Sequence, residues 1–165
     1  VHETAAGEDL VDALISASRA LVAVAARSVS GLPSEVTLPQ YRALVVLASR
    51  GPQRGVELAA ELGVNPSTAT RLIERLVRAD LVERRPVPGD RRAVSVALRP
   101  AGSRLVRTVT RRRRSEVARI VAAMPAAQRI GAEGALRAFA EAAGEVPEQG
   151  WWLGFAMPDE EETRT

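Results

Sequence analysis

The side chains of this 165-residue chain best suited to chemistry are arginines and hydroxyls on two short stretches. In NPSTATRLIERLVR, at 65–78, Ser67, Arg71, Arg75 and Arg78 recur four, four and three residues apart, which puts them on one face of a helix. Ser67, Thr68, Thr70 and Arg71 crowd its N-terminal half. In RRPVPGDRRAV, at 84–94, Arg91 and Arg92 follow a Pro-Gly-Asp turn. An arginine fork bonds a phosphate or a guanine edge through two donors, and short hydroxyls bond either. The chemistry on offer is therefore recognition of a polyanion. Charged helix faces are often merely solvated, and RRPVPGDRRAV alone reads equally as a loose basic linker, so the elements around both stretches must decide.

Composition narrows the field. All 23 basic residues are arginine, against 20 acids. Residues 144–165 carry −5, which leaves +8 on the rest, a basic body with an acidic tail that fits a nucleic-acid partner. A GC-rich coding sequence would equally explain the missing lysine. There is no cysteine, so disulfides, Cys-ligated zinc and thiol redox sensing are excluded. His2 is the single histidine, expected in a frayed terminus, and no metal-ligand cluster or Gly-rich phosphate loop occurs. No cofactor is expected, and no enzyme. No apolar run approaches the ~20 residues of a membrane span, and no basic-then-apolar leader opens the chain. These features predict a cytoplasmic, nucleoid-associated protein.

The elements are readable from periodicity and punctuation. A first helix is predicted over 8–29, with Leu10, Leu14, Ser18, Leu21 and Ala25 at helical spacing and Gly31 and Pro33 after it. Its apolar supply is large for a terminal helix and suggests burial against a partner chain. A second helix is predicted over 38–49, with Thr37 as N-cap, Gly51-Pro52 as its stop, and Tyr41, Leu44, Val45 and Ala48 inward. A third, over 54–62, points Val56, Ala59 and Leu62 inward and closes on Gly63. Asn65 then caps a helix opened by Pro66 and running to about Ala79, with Ala69, Leu72, Ile73 and Leu76 on its apolar side. Two helices joined by a glycine turn, the second polar outside, form the helix-turn-helix plan. Residues 81–85 and 93–98 read as strands, with Val94, Val96 and Leu98 on one face and Ala93, Ser95 and Ala97 on the other. The basic stretch between them is then the loop of a hairpin. Pro86 and Pro88 confine it, and Gly89 can take a positive φ. A hairpin directly after a recognition helix is a wing, which would hold Arg91 and Arg92 near phosphates or the minor groove. Asp90, which repels phosphate, is expected to brace Arg92, the alternative being a simple Asp-containing turn with no ion pair.

Helix returns at 100–124, with Val106, Val109, Val117, Ile120, Val121 and Met124 on its apolar side. Arg111 to Arg114 fan around it at about 100° per residue and cannot form one stripe; they are expected to be solvated or paired, Arg112 with Glu116 being one option. A last helix is predicted over 126–143, weakened by Gly131 and Gly134 and anchored by Leu136, Phe139 and Ala140. The tail holds Trp151, Trp152 and Phe155, three of the five aromatics, before an acidic end. It is expected to pack over a subunit seam, line a ligand pocket or bind a partner, with disorder beyond Pro158.

TLPQYRALVVLASRG (37–51), ELAAELGVNPSTATRLIERLVRADLVERR (57–85) and PGDRRAVSVALRPAG (88–102), with the Asp-x-Arg of the wing at Asp90 and Arg92, resemble the MarR (multiple-antibiotic-resistance regulator) family of bacterial regulators over about residues 8–143. The resemblance implies a mainly α fold with a small β wing. It divides the chain into an N-terminal dimerisation helix (1–36), a winged helix-turn-helix domain (37–99), dimerisation helices (100–143) and the acidic, aromatic tail (144–165). It further implies a homodimer on a pseudo-palindromic operator in double-stranded DNA, usually as a repressor, and release by a small, often aromatic, effector. Arg42 is a weak candidate for an acidic effector, and a surface arginine is the plainer reading of it. The family often has Thr before the proline that opens the long helix. Arg99 stands there instead and removes an N-cap bond. The alternatives are a winged-helix module that binds protein and a nonspecific DNA-binding protein. An acidic or apolar recognition face would favour the former, and Arg71, Arg75, Arg78, Arg91 and Arg92 argue against it.

Overall fold

The computed structural model describes residues 2–30, 36–87 and 89–153, and of 2–6, 91 and 92 the backbone alone. Gly31 and Pro33, Pro88, Phe155 and the tail from residue 154 lie outside the described residues. The elements are α1 (His2–Val29), α2 (Leu38–Arg50), β1 (Gln53–Arg54), α3 (Gly55–Leu62), α4 (Pro66–Arg78), β2 (Val82–Val87), β3 (Asp90–Leu98), α5 (Pro100–Ala122), α6 (Ala126–Ala142) and a 3-10 turn at Glu148–Gly150. The result is a mostly helical fold with one three-stranded antiparallel sheet in the order β1-β3-β2. Helix α1 begins at His2, earlier than the expected residue 8.

Helix α2 is the centre of the core. The inward side predicted from spacing was Tyr41, Leu44, Val45 and Ala48. Ala43, Val46 and Leu47 are buried too, and Val45 only partly. The helix is packed on by α1, α3, α5 and β3, so a single stripe underestimates what it buries. Its start is held by Gln40, whose Oε1 accepts from the Thr37 N–H at 2.8 Å and from Thr37 Oγ1 at 3.1 Å. Burial raises the pKa of the Tyr41 phenol above its usual value, partly offset by its hydrogen bond with Thr110.

The third helix differs from expectation at its start. Arg54, expected in it, pairs instead with Ser95 of β3, beside Gln53, which pairs with Val96. Ala59 is buried and Leu62 partly buried as expected, Leu58 is buried as well, and Val56, expected inward, is 64% exposed. The strands of the hairpin run longer than predicted. Val82 to Pro86 pair in register with Leu98 to Val94, and then the ladder jumps, with Val87 opposite Asp90. Gly89 takes φ +84 at the tip. The stretch 84–94 is thus mostly strand rather than loop. Arg91, Arg92 and Ala93 fall in a bulge that the partner strand does not match. Burial does not follow the predicted alternation: Val96 and Ala97, on opposite faces, are both buried, Leu98 is partly buried, and Val94 is exposed.

The end of the wing is joined to α4 by a compact corner. Asp80 takes a left-handed φ of +59, the Leu81 N–H donates to Leu76 O at 3.0 Å, and the Arg99 N–H donates to Leu81 O at 3.0 Å. Arg99, which cannot cap α5 with its side chain, instead places Nη1 3.0 Å from Asp80 Oδ1. Gly102 lies against the same Leu81 carbonyl.

The outer helices leave apolar surface open. Leu10, Val11, Ile15 and Val22 on α1, and Ile120 and Val121 on α5, are exposed. Helix α6 has no buried residue, and its expected anchors Leu136 and Phe139 are more than half exposed. Among the described residues nothing covers them. The Arg112–Glu116 pair is not formed: Glu116 Oε2 accepts both Nε (3.0 Å) and Nη2 (2.9 Å) of Arg27 on α1. Arg111 to Arg114 are all exposed, and Arg114 reaches Glu148 at 3.6 Å. The first part of the tail returns to the chain's own α2, where Trp151 and Leu153 pack on the core.

Candidate nucleic-acid interface

The candidate interface is built on α4. Asn65, extended at φ −71 and ψ 156, caps it: its Oδ1 accepts the Thr68 N–H and the Ser67 hydroxyl, each at 2.8 Å. Pro66 occupies the first turn, where its missing N–H costs nothing. Ala69, Leu72, Ile73 and Leu76 are buried against the body, as the spacing predicted. That fixes the helix rotation. Ser67, Thr68, Thr70, Arg71, Arg75 and Arg78 are all exposed on the opposite side.

The hydroxyls are partly committed. Ser67 donates to Asn65, and Thr70 Oγ1 donates to Pro66 O at 2.9 Å. Both therefore present acceptor lone pairs outward, suited to base amino groups rather than to phosphate oxygens. Arg71 and Arg75 make no ion pair among the described residues, and Arg78 Nε touches Glu74 O at 3.4 Å. Arg75 and Arg78 border a recess of about 530 Å3 between α4 and the start of α2, where Thr37 and Gln40 lie. The six predicted residues thus form two groups. Hydroxyls with Arg71 sit at the N-terminal end, and two arginines sit toward the α2 side.

The wing contributes a third group. The backbone of Arg91 and Arg92 lies on β3 at the bulge. Their side chains lie outside the described residues, and with them the Asp90–Arg92 brace. Arg54 and Arg84 are exposed as well, on opposite faces of the sheet, Arg54 beside Ser95 and Arg84 beside Val96. Arg54, Ser95 and Arg85 form one cross-strand row of the sheet. Their charge was visible, but β1 is two residues long and its pairing with β3 has no local signature. Arg85 is ion-paired with Glu83, and the Arg54 N–H donates to Glu57 Oε2 at 2.7 Å to start α3.

Arg42 lies away from α4's exposed side. It borders a cleft of about 510 Å3 with Tyr41, Val45, Leu72 and Arg113. Its guanidinium is occupied by Glu145 of the tail, Nη2 to Oε1 at 2.5 Å and Nη1 to Oε2 at 3.2 Å.

Asn65→Ala would leave the Thr68 N–H uncapped. It is expected to lower stability by about 1 kcal/mol, seen as a fall in Tm of about 2–4 °C.

Comparison with known proteins points one way. A model of the MarR family matches residues 36–94. The chain is 37% identical over 78 residues to the HTH-type transcriptional regulator YsmB of Bacillus subtilis, of which it spans 53%. It is 34% identical over 96 residues to the HTH-type transcriptional regulator Mb0904 of Mycobacterium bovis, of which it spans 67%. The chain thus covers only about half to two thirds of these curated relatives. Among solved structures, RV1404 from Mycobacterium tuberculosis is 46% identical, with a TM-score of 0.79 over 85% of this chain and 95% of that one. Apo MarR from Escherichia coli, at 23% identity and TM-score 0.67, shares the fold.

Proposed function

This chain belongs to the MarR family, and from that premise we propose that it is a transcriptional regulator that reads a specific DNA sequence as a homodimer. The observation that carries the reading is the exposed side of α4: acceptor hydroxyls and an arginine with no ion pair among the described residues at the N-terminal end, and a hairpin immediately after the helix. An α-helix fits the major groove with its N-terminal residues near base edges. In this assignment Ser67, Thr68, Thr70 and Arg71 read bases, Arg75 and Arg78 support them, and Arg91 and Arg92 engage phosphates or the minor groove. Residues 37–99 form the DNA-binding domain, and 1–36 with 100–143 form the dimerisation region. The exposed apolar residues of α1, α5 and α6 supply what a second copy would cover. Among the described residues no helix is long and apolar enough to cross a membrane, and we place the protein on the nucleoid in the cytoplasm.

Repression is the mode we assign, with release by a small effector. The cleft beside Arg42 and Arg113 lies between α2, α4 and α5, so a ligand there could favour a dimer shape that fits the operator poorly.

The test is selection of bound duplexes from a randomised library. The expected outcome is enrichment of a pseudo-palindrome with half-sites about one helical turn apart. Binding with no enriched sequence would overturn the specific reading in favour of a nonspecific coat. In the same assay, Arg91→Ala and Arg92→Ala are each expected to reduce the slope of log affinity against log salt by about 1. They are expected to weaken selected and random duplexes alike. An unchanged slope in both variants would remove the wing from the interface.

A further inference from the structure

Helix α6 buries nothing of its own, yet the chain beyond it is firmly attached to the helix-turn-helix body. After Gly144 turns at φ +74, the segment runs back along α2. The Trp152 N–H donates to Ser49 O and the Leu153 N–H to Ala48 O, each at 3.1 Å. These are carbonyls at the C-terminal end of α2 that its own turns leave without partners. The Trp152 indole lies over Gly51, where an added Cβ would meet it at 3.1 Å. Arg50 joins the two sides. Its Nη2 donates to Gly144 O at 2.8 Å, while its Nε lies 3.0 Å from Glu61 of α3, the first helix of the helix-turn-helix. Glu145 adds its two-pronged pair with Arg42.

We propose that residues 144–153 are an intramolecular latch that locks α6 to the helix-turn-helix, with Arg50 as its positioning residue. When it is closed, the reading heads are held at a fixed attitude to the outer helices, which lowers the ordering cost of binding DNA. The latch touches α2, α5 and the core but none of the residues assigned to base reading, so it braces the DNA-binding surface rather than covering it. The effect on DNA rests on the function proposed above; the docking itself does not.

Trp151 and Trp152 are the chain's two tryptophans, so intrinsic fluorescence reports on the latch directly. Leu153→Asp puts a charge where Leu153 meets the core, and Glu145→Arg sets like charges against Arg42. Both variants are expected to shift the emission to longer wavelength and to increase acrylamide quenching. Affinity for the selected duplex is expected to fall by roughly threefold to tenfold, an effect of the size of a lost ion pair or two. The salt slope is expected to stay unchanged, because no phosphate contact is lost. Emission unchanged in both variants would overturn the docking. A red-shifted variant that binds the duplex as tightly as the parent would overturn the control of DNA binding. If the parent itself selects no sequence, the DNA-reading proposal fails, and the fluorescence still decides the docking.

Discussion

Arg71→Ala is expected to weaken binding to the selected duplex by about 1–3 kcal/mol, roughly 5-fold to 150-fold, and binding to random duplex far less. The reasoning begins with rotation. Four buried residues, Ala69, Leu72, Ile73 and Leu76, fix which way α4 faces. Arg71 is exposed on the side they leave open, in the second turn after the Asn65 cap, and makes no ion pair among the described residues that would have to break before DNA binds. A two-donor contact to a guanine edge is lost entirely when the side chain is cut back, and the guanine's acceptors are left facing a gap. A phosphate contact would behave differently, because every duplex offers the same phosphates. Parallel titrations of the variant on both duplexes separate the cases. Equal losses would move Arg71 from reading bases to binding the backbone.

Gly102→Ala is expected to be among the most destabilising single substitutions in the chain, costing about 3 kcal/mol or more. A Cβ at Gly102 would stand 2.2 Å from Leu81 O and 3.1 Å from Leu98 Cδ2. The near atom is backbone, so no side-chain rotation can make room. That carbonyl also accepts the Arg99 N–H, so moving it breaks the bond that closes the wing onto α5. Relief requires α5 to separate from the corner between α4 and β2, which would tilt the wing relative to the recognition helix. Thermal unfolding should show a fall in Tm of roughly 6–12 °C. Specific DNA affinity should fall even at temperatures where the variant stays folded. A Tm within 2 °C of the parent, on the order of the effect of 1 kcal/mol, would mean that the corner yields more easily than its packing implies.

The differences between local pattern and fold have a common physical origin. The wing arginines are legible as a group, but local signals make the hairpin mostly loop, since nothing local says how far a ladder will extend. Val56 was placed inward because helical spacing allowed it. In the folded chain Val56 is 64% exposed and Leu58, off that stripe, is buried. Arg112 was offered Glu116 from its own helix, while Arg27, 89 residues away, took it with two bonds. Spacing makes Leu136 and Phe139 the anchors of the last helix, and among the described residues both stay more than half exposed. The missing side-chain cap at Arg99 was visible, but the compensating contact to Asp80 was not, because it depends on a left-handed residue in the preceding corner.

What the sequence determined by itself is what short-range forces decide. Asn65 and Pro66 start the recognition helix, the spacing of Ala69, Leu72, Ile73 and Leu76 sets its rotation, and Gly51 and Gly63 end the helices before it. These are effects of backbone dihedrals, caps and the 3.6-residue period, and they act within a few residues. The tertiary structure alone decided the pairings between distant parts: β1 on β3, Arg27 with Glu116, Arg99 with Asp80, Gly102 beneath Leu81, and the return of Trp152 and Leu153 to the end of α2. The seat of the tail joins residues about a hundred positions apart. A carbonyl at a helix end accepts whichever N–H the fold brings to it, and an arginine pairs with whichever carboxylate arrives, so the residue types permit these contacts and only the packed chain selects them.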